Sequence, residues 1–310
     1  PGPCDRQSVM VTITQRGEFN PICKPYQCIL LLGLYLMFVL KWGPRWMQKR
    51  KAFDLYWILI AYNVIQIVLC AKVFINGLKL WGWGGKYKWI CEPVDHSHSE
   101  DAKYVANVAY DYFILKIIDL LDTVFFVLRK KSNQVSFLHV YHHTGMYYFS
   151  SSIFINELSF SGGHGTSVGV VNSFVHVVMY SYYLVSIVKP SITRALWIKK
   201  FVTQLQILQF LLFVLHIGIL PFKPDCAYPR WTAALFLPQN FFMLVLFTDF
   251  YIRTYIRNPK STLKSTSIDG WRLTAFCATI LITLQYMSGI VVLFSLYLSY
   301  IYIIYYIILY

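Results

Sequence analysis

A chain of 310 residues that is 57% hydrophobic and 14% charged falls far below a soluble domain, in which about 25% of residues are charged. That excludes an ordinary soluble globular enzyme. The formal net charge of +14 does not signal nucleic-acid binding, because the basic residues sit in short clusters between apolar runs and form no separate polar domain.

The apolar runs set the architecture. A bilayer crossing needs about 20 apolar residues per helix, and the chain predicts spans at 26–40, 53–74, 105–128, 135–155, 168–188, 201–220 and 233–252. The expected fold is an all-α, polytopic membrane protein with seven transmembrane helices. Residues 1–25 form an N-terminal segment, 26–256 the transmembrane domain, and 257–310 a tail whose apolar run at 273–310 admits an additional span. The N-terminal stretch has no basic region followed by an apolar core and a cleavage site, so the first span is expected to direct insertion itself.

Charge in the loops sets orientation. Lys41, Arg45, Lys49, Arg50 and Lys51 follow the first span, and Arg129, Lys130 and Lys131 the third. Lys189, Arg194, Lys199 and Lys200 follow the fifth, and Arg253, Arg257, Lys260 and Lys264 the seventh. These loops alternate with poorer ones, which puts all four in the cytoplasm and the N-terminus in the lumen. The intervening loop 76–103 is rich in glycine and tryptophan and reads as an interfacial re-entrant piece. It carries Cys91, and the loop 221–230 carries Cys226, on the same lumenal side. A disulfide can persist there, and two unrelated thiols fit the spacing equally well.

Polar groups inside a bilayer are costly and mark function or helix contacts. On the third span Lys116, Asp119 and Thr123 share a helical face, with Asp122 beside it. The fourth carries His139, His142 and His143; the fifth Asn172, His176, Met179 and Tyr180; the sixth Thr203, Gln206 and Gln209. Four striped helices imply one shared internal cavity. Helix-to-helix hydrogen bonding accounts well for Thr203, Gln206, Gln209 and Asn172. It accounts poorly for three histidines on one turn, whose imidazoles suit acid–base, nucleophilic or metal chemistry.

A di-iron desaturase or hydroxylase needs about eight histidines spread over several boxes to hold its irons. This chain has eight in all, but His96, His98 and His164 fall on the lumenal side and His216 near the lumenal end of its span. A single zinc on His139, His142, His143 or His176 stays open. A transporter is the other rival, yet there is no internal repeat and no mid-span proline in spans three to six.

The motifs KIIDLLDT at 116–123 with VFFVLRKK at 124–131, QVSFLHVYHH at 134–143, NSFVHVVMY at 172–180 and TQLQILQ at 203–209 resemble, in order and spacing, the ELO family of very-long-chain fatty acid elongases. GPRWMQKR at 43–50 is similar as well, and the likeness covers about 26–255. The chain departs from the family at Asp119, where glutamate is frequent, and in its apolar tail, where the family's is short, polar and basic.

The resemblance implies a multi-pass endoplasmic-reticulum 3-ketoacyl-CoA synthase, with six of seven helices forming a barrel around a substrate tunnel. Its substrates would be a long-chain acyl-CoA and malonyl-CoA, with no metal and no redox cofactor. Its partners would be membrane lipid and the reductases and dehydratase of the elongation cycle, and the family admits a homodimer. Carried over by residue, His142 would take the acyl group, His176 would sit opposite, and His139 and His143 would assist. Asn172 and Gln206 would line the chemistry, with Lys116, Asp119, Asp122, Tyr180, Thr203 and Gln209 around it. Arg129, Lys130, Lys131 and Lys200 would meet CoA phosphates, and Cys91 and Cys226 resemble the family's lumenal disulfide.

Overall fold

The computed structural model describes residues 25–82, 85–95, 97, 99–155, 163–229 and 231–257. The expected N-terminal segment up to residue 24, His96, His98 and the tail from residue 258 lie outside the described residues. Among the described residues all regular structure is helical, with no strand. Five helices are long and apolar enough to cross a membrane, at Tyr26–Gln48, Tyr56–Trp81, Gly163–Val188, Leu196–Phe222 and Thr232–Arg257. The chain is thus a multi-pass membrane protein. The expected spans 105–128 and 135–155 are also helical but are not among those five.

Contacts divide the chain into two compact units, one formed by 1–188 with 223–229 and the other by 189–222 with 230–310. The first unit opens with α1 (Pro25–Met37), which passes through a π-helical turn (Phe38–Trp42) into α2 (Gly43–Gln48). A side chain on Gly43 would lie 2.8 Å from Val127 Cγ1, so the missing Cβ permits the close approach of α2 to α5 (Leu120–Leu128). The Asp54 carboxylate accepts from the Tyr56 amide at 3.0 Å and caps α3 (Tyr56–Trp81).

α3 continues past the expected end at 74 to Trp81, because Lys79 suits its C-terminal dipole and the Trp81 indole donates to Thr166 Oγ1 at 2.7 Å. The loop expected from residue 76 is correspondingly shorter. Ser99 Oγ accepts from the Ala102 amide at 3.1 Å, and Glu100 and Asp101 occupy the first turn of α4 (Glu100–Ile118). The third span is therefore longer than its apolar run, and it is not one helix: it breaks at Asp119 before α5.

α6 (Phe137–Ile155) carries the three histidines. Before α7 (Thr166–Val188), Gly163 adopts a φ of 58°, and an added Cβ would stand 2.5 Å from the Glu92 carbonyl oxygen. Glycine alone allows that close crossing, which the His164 amide then fastens by donating to Glu92 O at 2.8 Å.

Two apolar clusters hold this unit. Cys28, Leu32, Tyr35, Phe113, Leu120, Val127, Val140 and Tyr147 join α1, α4, α5 and α6, while Leu80, Trp81, Val105 and Val170 join α3, α4 and α7. Cys91 and Cys226 form a disulfide, with Cα atoms 5.7 Å apart and 135 residues between them in sequence. So long a closed loop favours the folded state through the entropy it removes from the unfolded chain. Cys226→Ser is expected to lower stability by about 2–4 kcal/mol. Thermal unfolding in detergent checks this: reductant should shift the parent protein to the variant's midpoint and leave the variant unmoved.

The second unit, described by itself, contains α8 (Pro190–Thr193), α9 (Leu196–Gly218) and α10 (Trp231–Tyr251). α9 packs on α10 through Phe210 and Phe247, whose rings lie 5.2 Å apart. Gln204 Nε2 donates to Tyr251 Oη at 2.9 Å, and Thr203 Oγ1 lies 3.4 Å from Tyr255 Oη.

Candidate active site

The break at Asp119 organises the first unit's polar interior. Asp119 and Asp122, three residues apart, are neighbours on one helical face, and the backbone at Asp119 keeps right-handed helical angles. Here both carboxylates reach one phenol: Tyr180 Oη lies 2.8 Å from Asp122 Oδ2 and 3.1 Å from Asp119 Oδ1. Tyr180 has one proton and can donate to only one carboxylate at a time. Asp122, beside the stripe, thus joins the cluster through Tyr180.

Lys116 Nζ, one turn earlier, donates to Asp119 Oδ2 and to Asn172 Oδ1, each at 2.8 Å. Tyr112 Oη donates to the same Asn172 oxygen at 3.0 Å, and the Lys116 ammonium lies 4.7 Å from the Tyr112 ring centroid. Lys116, Asp119, Asn172 and Tyr180 are all buried. Three helices thus meet in one network of hydrogen bonds. The buried ammonium thus meets two acceptor oxygens and the face of one aromatic ring, partners that a charge removed from water requires.

His176 is buried on α7 one turn before Tyr180, and its ring packs edge-on to that phenol at 5.6 Å. Its Nδ1 has no hydrogen-bond partner among the described residues, and the Asp119 carboxylate stands 3.7 Å away. A small movement would turn that approach into a hydrogen bond.

The histidines of α6 connect to the same break from the other side. His139 Nε2 lies 3.1 Å from Thr123 Oγ1, which also lies 2.7 Å from Tyr35 Oη. His139 and His143 stack with ring centroids 4.2 Å apart, and His142 stands edge-on to His143 at 5.6 Å. His143 is buried, while His139 and His142 are half-buried. The segment 119–123 therefore joins two groups, with His176, Lys116 and Asn172 reached through Asp119 and the α6 histidines through Thr123.

Spacing did not disclose Gln66. It is fully buried on α3, and its Nε2 lies 2.7 Å from Asp119 Oδ1, 3.0 Å from Tyr62 Oη and 3.1 Å from Tyr180 Oη. It therefore holds the Asp119 oxygen that Lys116 does not. Asn63 and Gln66, three apart in an apolar run, were the available signal. Tyr62, Tyr112 and Tyr35 had none, because a phenol in a membrane helix reads the same whether it faces lipid or a carboxylate.

Arg129 is half-buried and Lys130 and Lys131 are exposed at the end of α5. Thr203, Gln206, Gln209 and Lys200 belong to the second unit. There Thr203 Oγ1 donates to the Lys199 carbonyl at 3.1 Å, Gln209 is buried, and Gln206 and Lys200 are half-buried.

Comparison with known proteins places this arrangement. The chain matches the ELO family, described as the GNS1/SUR4 family, over residues 20–263. It is 37% identical over 258 residues to very long chain fatty acid elongase 4 of Homo sapiens, covering 83% of this chain and 80% of that protein. It is 38% identical over 238 residues to very long chain fatty acid elongase 7 of Rattus norvegicus, covering 76% and 83%. With very long chain fatty acid elongase 7 of Drosophila melanogaster the identity is 36% over 253 residues, covering 82% and 76%.

Proposed function

The chain belongs to the ELO (GNS1/SUR4) family, and from that premise we propose that it is the condensing enzyme of fatty acid elongation in the endoplasmic-reticulum membrane. It joins a long-chain acyl-CoA to malonyl-CoA, giving 3-ketoacyl-CoA, CO2 and free CoA, and hands its product to reductases and a dehydratase. The observation that carries this reading is the convergence on the 119–123 segment of two histidine-bearing helices and a buried lysine–carboxylate–asparagine network.

In this reading an imidazole nitrogen of His142 attacks the thioester carbonyl. The carbon–sulfur bond breaks, and the imidazole proton leaves with the CoA thiolate. Malonyl-CoA then loses CO2, and the electron pair left on its α-carbon attacks the acyl carbon. The acyl–nitrogen bond breaks and the departing imidazole takes up a proton. His176 sits across from His142, with Asp119 setting its tautomer; His139 and His143 fix the ring of His142. Asn172 lines the reacting groups, and Arg129, Lys130 and Lys131 receive CoA phosphates. Burying the acyl chain contributes about 0.8 kcal/mol per methylene, and a dry site protects the acyl-imidazole from hydrolysis. The resident chemistry needs neither a metal nor a redox cofactor.

Purified protein supplied with acyl-CoA and carboxyl-labelled malonyl-CoA is expected to release labelled CO2 and form 3-ketoacyl-CoA. Oxygen consumption with bound iron would replace this reading by an oxygenase, and no turnover at all would favour transport.

A further inference from the structure

The geometry points to a binding site for the phosphate of an anionic phospholipid at the turn joining α2 to α3. Between residues 41 and 57 the chain carries Lys41, Arg45, Lys49, Arg50 and Lys51 against a single carboxylate, Asp54. That carboxylate is occupied as the cap of α3. Arg45, Lys49, Arg50 and Lys51 are exposed, and none makes an ion pair among the described residues.

The turn is held in place. Phe53 N donates to Leu128 O at 3.1 Å, and Lys130 Nζ donates to Gln48 O at 3.4 Å. The exposed Lys130 is thereby tied to the residue that precedes Lys49, Arg50 and Lys51, so two basic segments far apart in sequence meet at this turn. Arg50 is fixed as well: its guanidinium lies 4.2 Å from the Trp46 ring centroid, and Trp46 stacks on Phe53 at 5.8 Å.

The neighbouring apolar surface decides between a lipid and a soluble phosphate ester. Trp46, Phe53 and Trp57 are exposed, as aromatic residues at a headgroup boundary are, and Trp57 is the most exposed of the three at 77%. From Trp57 the exposed positions Ile58, Ile65 and Val68 continue along one face of α3. A headgroup on Arg50 and Lys51 would leave its acyl chain lying along that face. A nucleotide would leave the aromatic rim and the stripe uncovered.

The test uses full-length protein in phosphatidylcholine nanodiscs doped with phosphatidylserine at roughly one part in five. Mass spectrometry of the protein released from the discs counts the lipids it retains. The ratio of phosphatidylserine to phosphatidylcholine among the retained lipids is expected to be about ten times that in the disc. The triple variant K49Q/R50Q/K51Q should return retention to the bulk ratio, and K49R/R50K/K51R, which keeps the charges, should preserve it. Bulk-ratio retention by the parent protein would overturn the proposal. So would displacement of phosphatidylserine by free CoA, which would give the site to the nucleotide. Lipid retention is read without turnover, so its failure and a failure of the condensation reading are separable.

Discussion

Alanine at His142 is expected to abolish condensation, with a loss of at least roughly 10³-fold in kcat. The neighbouring imidazoles are poorly placed to substitute. His139 is engaged with Thr123 at 3.1 Å and stacked on His143 at 4.2 Å, and His143 is buried. His142 is half-buried, so truncating it removes few apolar contacts and the fold should survive. Two measurements separate chemistry from folding. The thermal midpoint should stay near that of the parent protein, and CoA release from acyl-CoA without malonyl-CoA should vanish. CoA release surviving in His142→Ala but lost in His176→Ala would exchange the two roles. Activity within tenfold of the parent in both variants would remove the acyl-imidazole from the mechanism.

The polar interior was legible in the sequence to the extent that a charge in an apolar run has few explanations. Lys116 and Asp119 stood out for that reason; they bond to each other, Lys116 bonds Asn172, and His176 approaches Asp119 at 3.7 Å. The break at Asp119 was not legible, because no glycine or proline marks it and the aspartate fits the helical stripe around it. Spacing set Asp122 beside the stripe, and the packing of α7 shows that both carboxylates share Tyr180. Gln66 was overlooked because a lone amide in a long apolar helix is ordinarily an interhelical tie. Its partners here are a carboxylate and two phenols, and only the packing of α3 reveals them. Helix ends followed capping chemistry more than hydropathy. Ser99, Glu100 and Asp101 start α4 well before its apolar run begins.

Gln66 and Lys116 divide one carboxylate between them, and this division bears on function. Gln66 takes Oδ1 and Lys116 takes Oδ2, the oxygen that also faces His176 Nδ1. The lysine therefore competes with the histidine for a single acceptor. A stronger hold on Oδ2 by Lys116 weakens what Asp119 can offer the imidazole. Asn172, which accepts from Lys116 at 2.8 Å, draws the ammonium the other way and moderates that competition.

Removing one member of the Lys116–Asp119 pair is expected to destabilise the protein more than removing both. The pair closes at 2.8 Å with side chains only 3% and 4% exposed. Lys116→Met leaves Asp119 with donors from Gln66 and Tyr180 and with no lysine or arginine. Asp119→Leu leaves the ammonium with the Asn172 oxygen and the face of Tyr112. Each single variant strands a buried charge, at a cost of about 3–5 kcal/mol, and should lower the midpoint of thermal unfolding in detergent by roughly 5–15 °C. The double variant K116M/D119L removes both charges and should recover much of that loss, with a coupling of about 2–3 kcal/mol. Recovery of the fold should not bring back turnover, since His176 Nδ1 then has no carboxylate to set its tautomer. Additive single losses would show that the two charges are not coupled. A double variant that both folds and condenses would reduce the pair to a structural tie between α4 and the break that follows it.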